Sequence, residues 1–144
     1  MRDKTITSKI MSKIPSHDTK PERSLAKEMF KLGLRYRKQY KIEGKPDFVF
    51  VKRRIAVFVD GDFWHGNNWK IRHMKSLDEE FGKYSKYWKD KINNNIARDK
   101  IVTNKLKHEN WYVLRFWESD IKKDCSRIAK KIFKAYKKNR KSTS

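Results

Sequence analysis

Two short apolar runs near the middle of the chain each border an aspartate. Residues 48–51 (FVFV) and 55–59 (IAVFV) consist almost entirely of β-branched and aromatic residues, and the basic stretch 52–54 separates them. Runs of this length and composition, interrupted by a short polar segment, predict a buried β-hairpin. Asp47 precedes the first run and Asp60 follows the second, so the hairpin would place these two carboxylates side by side. We therefore expect a sheet that carries an acidic pair at one end.

The rest of the sequence predicts helices before and after this hairpin. Residues 19–22 form a capping box with a proline in the first turn, and Gly33 is a typical helix stop. The predicted elements are, in chain order, a helix over 19–33, a loose strand over 34–42, the two hairpin strands, a helix over 79–109, a strand over 111–117 and a basic amphipathic helix over 121–144. This order is typical of an α/β fold in which helices pack on a mixed sheet.

The chain is strongly basic, with 38 Lys and Arg against 17 acidic residues and a formal net charge of +21. Such an excess is typical of proteins that bind the phosphate backbone of nucleic acid. The aromatic content of 13% argues against a disordered basic tail. No run of about 20 apolar residues predicts a membrane span or a secretion signal. We therefore expect a nucleic-acid partner and no membrane; a basic surface without a partner is the alternative.

The length of 144 residues is enough for one domain. We expect an N-terminal arm over 1–18 that contacts DNA, a core over 19–120, and a C-terminal helix over 121–144 packed on the same domain. Cys125 is the only cysteine, which excludes an intrachain disulfide and favours a cytoplasmic protein. One cysteine and four scattered histidines do not supply the ligands of a structural zinc site.

Three aspartates around the predicted hairpin are candidate metal ligands. Asp47, together with Asp60 and Asp62, could bind one or two Mg²⁺ ions that bridge a scissile phosphate and activate water. Asp60 and Asp62 flank Gly61 and point the same way if the strand continues, and the backbone carbonyl of Val59 is a further candidate ligand. The alternatives are a turn-forming Asp47 and an ordinary loop position for Asp62.

His65 and Asp99 are candidates for proton transfer. His65 follows Asp60 by five positions, and an imidazole can accept a proton from water that attacks phosphorus. Asp99 comes three residues after Ile96 on the apolar face of the predicted helix, where a carboxylate needs a partner. His65 is one such partner, because a carboxylate would orient the imidazole. Arg98 or a backbone group is the alternative partner, and a purely structural histidine is also compatible with the spacing.

Phe63 and Trp64 are two adjacent aromatics in a glycine-rich loop next to His65. Aromatic side chains beside a DNA cleft can wedge between base pairs or stack on displaced bases. The alternative is that Trp64 caps the hydrophobic core.

Several of these segments together resemble the very-short-patch repair (Vsr) mismatch endonucleases. The matching segments, which cover about residues 8–120, are SKIM at 8–11, DTKPE at 18–22, GKPD at 44–47, FVDGDFWHG at 58–66, YWKDKI at 87–92 with Asn95 and Arg98-Asp99, and WYVLRFWE at 111–118. The resemblance implies a restriction-endonuclease-like fold of the PD-(D/E)xK class. It also implies a reaction that depends on two Mg²⁺ ions. In this reaction, the enzyme nicks one strand of double-stranded DNA 5′ to the thymine of a T·G mismatch.

The resemblance also implies roles for particular residues. Metal binding falls to Asp47 and the carbonyl of Val59, and Glu22 would approach the water shell of the metal. His65 would be the general base and Asp99 its orienting partner. The DNA wedge would consist of Phe63 and Trp64, with Met11 pressing from the opposite groove.

Two departures from the better-known members concern metal binding. Those members hold a structural zinc, whereas the matching positions here are Asp62, Asn67, Trp69 and Ser119, so we expect no zinc and a loop held by packing of Trp69. Those members also have a histidine where Asp60 stands, which makes the site more similar to that of an ordinary restriction endonuclease.

Two other functions remain open from the sequence. One is a restriction or defence endonuclease that cuts both strands of a specific site, as a dimer rather than as a monomer on a mismatch. The other is a DNA-binding protein without enzymatic activity. For the preferred repair function, we expect a bacterial-type protein at the nucleoid, with a methyltransferase or mismatch-repair protein as a candidate partner.

Overall fold

A computed structural model of the chain describes residues 19–62, 64–67, 70, 76–82 and 84–139, without the side chain of Glu79. The predicted arm over 1–18, and with it Met11, lies outside the described residues, as does Phe63. The helices and strands are α1 (Lys20–Lys31), β1 (Phe48–Phe50), β2 (Ile55–Asp60), α2 (Leu77–Phe81), α3 (Lys86–His108), β3 (Tyr112–Trp117), α4 (Glu118–Lys123) and α5 (Cys125–Lys138).

The three strands form one sheet in the order β1-β2-β3, and the sheet is mixed, as the sequence predicts. Strands β1 and β2 form the expected antiparallel hairpin, with Phe48 opposite Val57. Strand β3 pairs with β2 in parallel, so that Phe58 lies beside Arg115 and Asp60 beside Trp117. A parallel pair needs a long crossover, and α2 and α3 lie within this connection. Because β1 runs opposite to β2, the start of β1 and the end of β2 meet at the same end of the sheet.

Alternate residues of β2 serve two different cores. Val57 and its neighbours at positions 55 and 59 belong to a cluster with residues of α1, α4 and α5. Phe58 belongs to a second cluster that includes Val102 and Leu106 of α3. This alternation is the period of two that a strand imposes. Helix α3 therefore covers one face of the sheet, and helices α1, α4 and α5 cover the opposite face.

Three local predictions differ from the structure. The expected strand over 34–42 is wrong: within it only Arg37 forms a bridge, to Val49, and the positive φ of 54° at Gln39 ends the extended conformation. The expected helix over 79–109 is two helices, because α2 ends at Phe81 and α3 starts after an extended Ser85.

The C-terminal helix is also interrupted, at Asp124, whose extended backbone (φ −157°) ends α4. The side chain of Asp124 then accepts a hydrogen bond of 3.1 Å from the backbone N–H of Arg127 and caps α5. In the part of the chain that is described, none of the helices combines the length and the apolar character that a membrane crossing requires.

Candidate active site

Asp47 lies directly before β1, and its carboxylate reaches across the hairpin. Its Oδ2 atom accepts a hydrogen bond of 2.6 Å from the backbone N–H of Val59 on β2. The turn before it runs against α3: Gly44 has a φ of +78°, and a Cβ at Gly44 would lie 2.3 Å from a methyl carbon of Val102. Only glycine adopts this conformation at such close approach without strain. The hairpin thus brings Asp47 beside the end of β2, as expected.

Burial raises the pKa of Asp47 to about 7. The hydrogen bond from Val59 opposes this shift, the negative charges of Glu22 and Asp60 add to it, and Lys38 partly offsets them. A carboxyl group held in this way gains stability from any cation that enters the site, because the cation favours its charged form. Asp47 is therefore placed where a bound metal ion would have a large electrostatic effect.

Glu22 approaches the same region from the first turn of α1. It is 4% exposed, and its Oε1 atom lies 3.1 Å from Nζ of Lys38. Its backbone N–H also donates to Oγ1 of Thr19 at 3.5 Å, which is the predicted cap of the helix. Glu22 thus has both predicted roles. Its backbone N–H takes part in the helix cap, and its negative charge acts on Asp47.

His65, in the loop after β2, is paired with Asp99 on α3. The Nδ1 atom of His65 and the Oδ2 atom of Asp99 form a short hydrogen bond, while Nε2 lies 3.8 Å from Oδ1 of Asp60. The loop that carries the histidine lies directly on α3. Gly66 has a φ of +79°, and a Cβ there would lie 2.5 Å from Cδ1 of Ile96. Between the alternatives that the sequence leaves open, the structure selects His65 as the partner of Asp99.

The pKa of His65 is raised above its ordinary value by opposing effects. Burial lowers the pKa, and the positive charge of Arg115 also lowers it. The hydrogen bond that His65 donates to Asp99 and the negative charges of Asp99 and Asp60 raise the pKa by more. Asp60 is shifted as well, since burial raises its pKa more than His65 and Arg115 lower it.

Arg115 is the main residue of this site that sequence reasoning missed. Its Nη1 atom donates to both carboxylate oxygens of Asp60, at 2.9 Å and 3.2 Å. Its Nε donates to Oγ1 of Thr103 at 2.8 Å, and the guanidinium lies 3.9 Å from the centre of the Phe58 ring. The available signal was an arginine in the middle of an otherwise apolar strand, since a cation in that position needs an acidic partner.

One cavity of about 360 Å³ collects most of the predicted site residues. Asp47, Val59, Asp60, Trp64, His65 and Asp99 all line it. The same cavity is lined by four cationic side chains, those of Lys45, Lys91, Arg98 and Arg115. Glu22 does not line this cavity and acts on it through its charge on Asp47. Acids and cations that line the same cavity suit the binding of a metal ion and a phosphate together.

The described residues offer a second arrangement for a metal ion. One oxygen of Asp60, one of Asp99 and a ring nitrogen of His65 all lie within 4.8 Å of one another. This group shares Asp60 with the expected set of Asp47, Val59 and Asp60. Mg²⁺ favours oxygen donors, and the expected set consists of oxygens alone. That set also leaves the imidazole for proton transfer.

Trp64 is largely buried in an aromatic cluster on α3. It is 9% exposed, its ring centre lies 5.8 Å from that of Trp88, and its carbonyl accepts a hydrogen bond of 3.0 Å from Asn95. The ammonium group of Lys91 lies 5.1 Å from the centre of the Trp64 ring. This position matches the alternative in which Trp64 caps the core, although the residue still lines the cavity.

Three of the four positions that match the zinc ligands of better-known members form a hydrogen-bonded cluster. Oδ1 of Asp62 accepts bonds of 2.8 Å from Nδ2 of Asn67 and from Oγ of Ser119. Oδ2 accepts a further bond of 3.0 Å from the backbone N–H of Ser119. The fourth position, Trp69, lies outside the described residues. The cluster joins the loop that carries His65 to the start of α4.

Known proteins with this sequence pattern are DNA endonucleases. The family model described as "DNA mismatch endonuclease Vsr" matches residues 1–71. The type II nicking enzyme V.NmeDIP of Neisseria meningitidis serogroup C is 48% identical over 128 residues, which cover 88% of this chain and 83% of the relative. The type II nicking enzyme V.HpaIIP of Haemophilus parainfluenzae is 42% identical over 120 residues, 81% of this chain and 80% of the relative.

A third relative carries the family name itself. The DNA mismatch endonuclease Vsr of Escherichia coli strain K12 is 34% identical over 119 residues, which cover 82% of this chain and 72% of that protein. The mixed α/β fold and the cavity of acids, histidine and cations agree with an enzyme of this kind. The chain therefore belongs to the Vsr family and is a DNA endonuclease.

Proposed function

We propose that this endonuclease uses Mg²⁺ to nick one strand of duplex DNA 5′ to the thymine of a T·G mismatch. The observation that carries the proposal is the cavity that is lined by Asp47, Asp60, His65 and Asp99 together with four cationic side chains. The names of the relatives, a DNA mismatch endonuclease and nicking enzymes, agree with a single-strand cut.

Metal binding is assigned to Asp47, Asp60 and the backbone carbonyl of Val59, and we propose two ions. These donors fit a hard cation because all of them are oxygens. In addition, the pKa of the buried Asp47 stays raised although Lys38 lowers it, so the neighbouring positive charge does not by itself offset the effect of burial. When bound, Mg²⁺ would lower the pKa of the attacking water and stabilise charge on the leaving oxygen. Glu22 would accept hydrogen bonds from water around the ion, since its charge already acts on Asp47.

Proton transfer is assigned to Nε2 of His65. Asp99 occupies Nδ1, which fixes the ring orientation and directs the other nitrogen into the cavity. A neutral imidazole in this orientation can take the proton of the water that attacks phosphorus. Asp99 thus acts as the orienting partner of the base and does not itself accept the proton.

Phosphate binding is assigned to the cations that line the cavity. Lys45, Lys91 and Arg98 lie where the backbone of a DNA strand would pass the acids. Contacts of this kind contribute affinity that falls steeply with salt and carries no sequence information. Recognition of the mismatch therefore depends on other residues, for which we propose Phe63, Trp64 and Met11. Because Trp64 is largely buried, its insertion between base pairs would require it to leave the aromatic cluster.

The decisive experiment is cleavage of a short duplex labelled on both strands, with and without a central T·G mismatch, in Mg²⁺ or EDTA. The expected result is a Mg²⁺-dependent nick 5′ to the mismatched thymine and an intact complementary strand. Asp47→Asn should abolish the nick, which controls for a contaminating nuclease. Cleavage of both strands of the paired duplex would reject the repair function. Because the flanking sequence affects cutting, a mismatched plasmid serves as the second substrate.

A restriction or defence endonuclease that cuts both strands is the second candidate. The observation that favours it is Asp60, an added carboxylate beside Asp47 that makes the metal site similar to that of an ordinary restriction enzyme. Sedimentation with DNA separates the two, because the repair enzyme should bind a mismatch as a monomer and the restriction enzyme should bind its site as a dimer. The repair function also implies action at the bacterial nucleoid, with a mismatch-repair protein or a methyltransferase as candidate partner.

A further inference from the structure

The guanidinium of Arg115 is held by residues of two structural elements. Phe58 on β2 lies under it at 3.9 Å, and Thr103 on α3 accepts a bond of 2.8 Å from Nε. Arg115 itself is in the middle of β3, directly beside Phe58 in the parallel register. Five donors in a rigid plane make arginine suited to contacts with several acceptors at once. The side chain is thus fixed independently of any ligand, in a cavity where DNA is expected to bind.

The two acids that bracket His65 both face this guanidinium. Asp60 Oδ1 lies 2.9 Å from Nη1 of Arg115 and 3.8 Å from Nε2 of the histidine. Each carboxylate oxygen of Asp99 has a different neighbour. Oδ2 is hydrogen-bonded to Nδ1 of His65, and Oδ1 lies 3.6 Å from Nη1 of Arg115. One nitrogen of Arg115 therefore faces an oxygen of each acid.

We propose that Arg115 is a positioning residue that holds the carboxylate of Asp60 away from Nε2 of His65. The inference rests on the proposed role of His65 as the base, and adds a residue on which that role depends. A distance of 3.8 Å is too long for a hydrogen bond, whereas 2.9 Å is within the ordinary range. Both oxygens of Asp60 accept hydrogen bonds from Nη1 of Arg115, which keeps the carboxylate on the guanidinium side of the cavity. Without the guanidinium, Asp60 would turn toward Nε2 and occupy the position that the attacking water needs.

A direct contact between Arg115 and the scissile phosphate is the competing role. That role would use Nη2, which lies 3.5 Å from the backbone carbonyl oxygen of Asp99, because Nη1 is already engaged with both oxygens of Asp60. The two roles differ in what they change: a phosphate ligand contributes to DNA affinity and to its salt dependence, whereas a positioning residue changes the rate of the chemical step.

The test compares Arg115→Met, Arg115→Lys and the control Thr103→Val, which removes one anchor of the guanidinium but not its contact with Asp60. We expect Arg115→Met to lower kcat by about 100-fold, the upper end for residues that orient a metal ligand. The Kd for DNA, measured without metal ions, and the dependence of this Kd on salt concentration should both stay within twofold of the wild-type values. Lysine can still hold Asp60 through one bond, so Arg115→Lys should retain at least about tenfold more activity than Arg115→Met. Thr103→Val should lose less than about threefold.

Crystal structures of the metal-free wild type and Arg115→Met give a readout that does not depend on activity. The distance from Asp60 Oδ1 to Nε2 of His65 should shorten to hydrogen-bond range in the variant. An unmoved Asp60 or an unchanged kcat would overturn the proposal, as would a weakened Kd with a salt slope reduced by about one, which would assign Arg115 to phosphate. If Arg115→Met does not fold, Arg115→Lys decides instead: an Asp60 held at its wild-type distance from Nε2 with kcat within about tenfold of the wild type supports the proposal, and the same distance with a loss of about 100-fold overturns it. Failure of mismatch specificity is distinguishable, because kcat can be measured on whichever duplex the wild type cuts.

Discussion

The Nδ1 atom of His65 is hydrogen-bonded to Asp99, which lies 34 residues further along the chain. The contact forms because the loop after β2 lies directly on α3, with Gly66 against Ile96. A loop histidine is thereby held as firmly as a residue of a helix. This contact fixes the orientation of the ring, and Asp99 acts together with Asp60 to raise the pKa of His65.

The activity should depend on pH through His65, whose pKa is raised by Asp99 and Asp60 despite the opposing effect of burial. A base must be neutral, so the rate should rise with pH until the pH exceeds the raised pKa, and then level off. Asp99→Asn removes a negative charge and should move this rise to lower pH, with a plateau about tenfold lower. His65→Ala should lower kcat by about 10² to 10⁴. Single-turnover cleavage from pH 5.5 to 8.5 measures both effects; an unmoved profile in Asp99→Asn would contradict the assignment.

Asp47→Asn should lower activity by about 1000-fold, because the metal is expected to contribute several kcal/mol to the reaction. The same variant should change how stability depends on pH. Burial raises the pKa of Asp47 from 3.8 to about 7, so the folded protein holds this proton more tightly than the unfolded chain. This residue's contribution to stability is therefore greatest below pH 4, is lost as the pH rises to about 7, and is constant above that.

Urea unfolding of wild type and Asp47→Asn across pH 4 to 8 checks this prediction. The difference between the two free energies of unfolding should move in favour of the variant as the pH rises. Asp90→Asn, at an exposed position on α3, is the matched control and should show a constant difference. Addition of Mg²⁺ should stabilise the wild type at high pH but not Asp47→Asn. A constant difference in the variant would mean that Asp47 ionises in the folded protein as it does in the unfolded chain.

The sequence predicted those elements of the fold that depend on residues close to one another in the chain. The hairpin follows from two β-branched runs, and the start of α1 follows from its capping box. The strand expected over 34–42 failed because Gln39 adopts a positive φ, which the alternation of apolar residues does not reveal. Arg115 was missed for a different reason. Its contact with Asp60 depends on the register between β2 and β3, which are joined through a long crossover that contains α2 and α3.

The hydrogen-bonded cluster around Asp62 should stabilise the loop that carries His65. Asp62→Ala would leave the buried Asn67 and the half-buried Ser119 without their acceptor, and should lower the free energy of unfolding by about 2 kcal/mol. Ser119→Ala removes one hydroxyl donor and should cost about 1 kcal/mol. Denaturant unfolding measures both, with the exposed Ser126→Ala on α5 as control. Equal stability of Asp62→Ala and Ser126→Ala would show that the cluster is dispensable.

Elemental analysis tests whether the same cluster binds zinc. Carboxylate, amide and hydroxyl groups at three of the four matching positions are poor zinc ligands, since structural zinc sites use cysteine and histidine. We expect less than a tenth of a zinc ion per chain, an order-of-magnitude bound. One equivalent of zinc that resists dialysis would contradict this ligand count.

Trp64 should contribute more to stability than Tyr87, an exposed aromatic residue that contacts the same Trp88 ring. It is 9% exposed and packs on Trp88, whereas Tyr87 is 64% exposed. Trp64→Ala should therefore cost about 3 to 5 kcal/mol, and Tyr87→Ala less than about 1 kcal/mol. Thermal unfolding in the absence of DNA measures this difference. Equal costs would mean that Trp64 leaves the cluster readily, which would strengthen its proposed role as a wedge.

The close approach of Gly66 to α3 should be needed for catalysis. Gly66→Ala introduces strain from the positive φ of 79° and a contact of 2.5 Å with Cδ1 of Ile96, whereas Gly33→Ala introduces strain alone, because nothing lies within 4 Å of its Cβ. We expect Gly33→Ala to cost about 1 to 2 kcal/mol, and Gly66→Ala about 2 to 5 kcal/mol. Only Gly66→Ala should also lower kcat, because relief of the clash moves His65 away from Asp99. Ile96→Val removes the methyl carbon that is closest to the new Cβ, so adding it to Gly66→Ala should restore part of both stability and kcat. If the double variant were no better than Gly66→Ala, the packing of this loop on α3 would not be what positions His65.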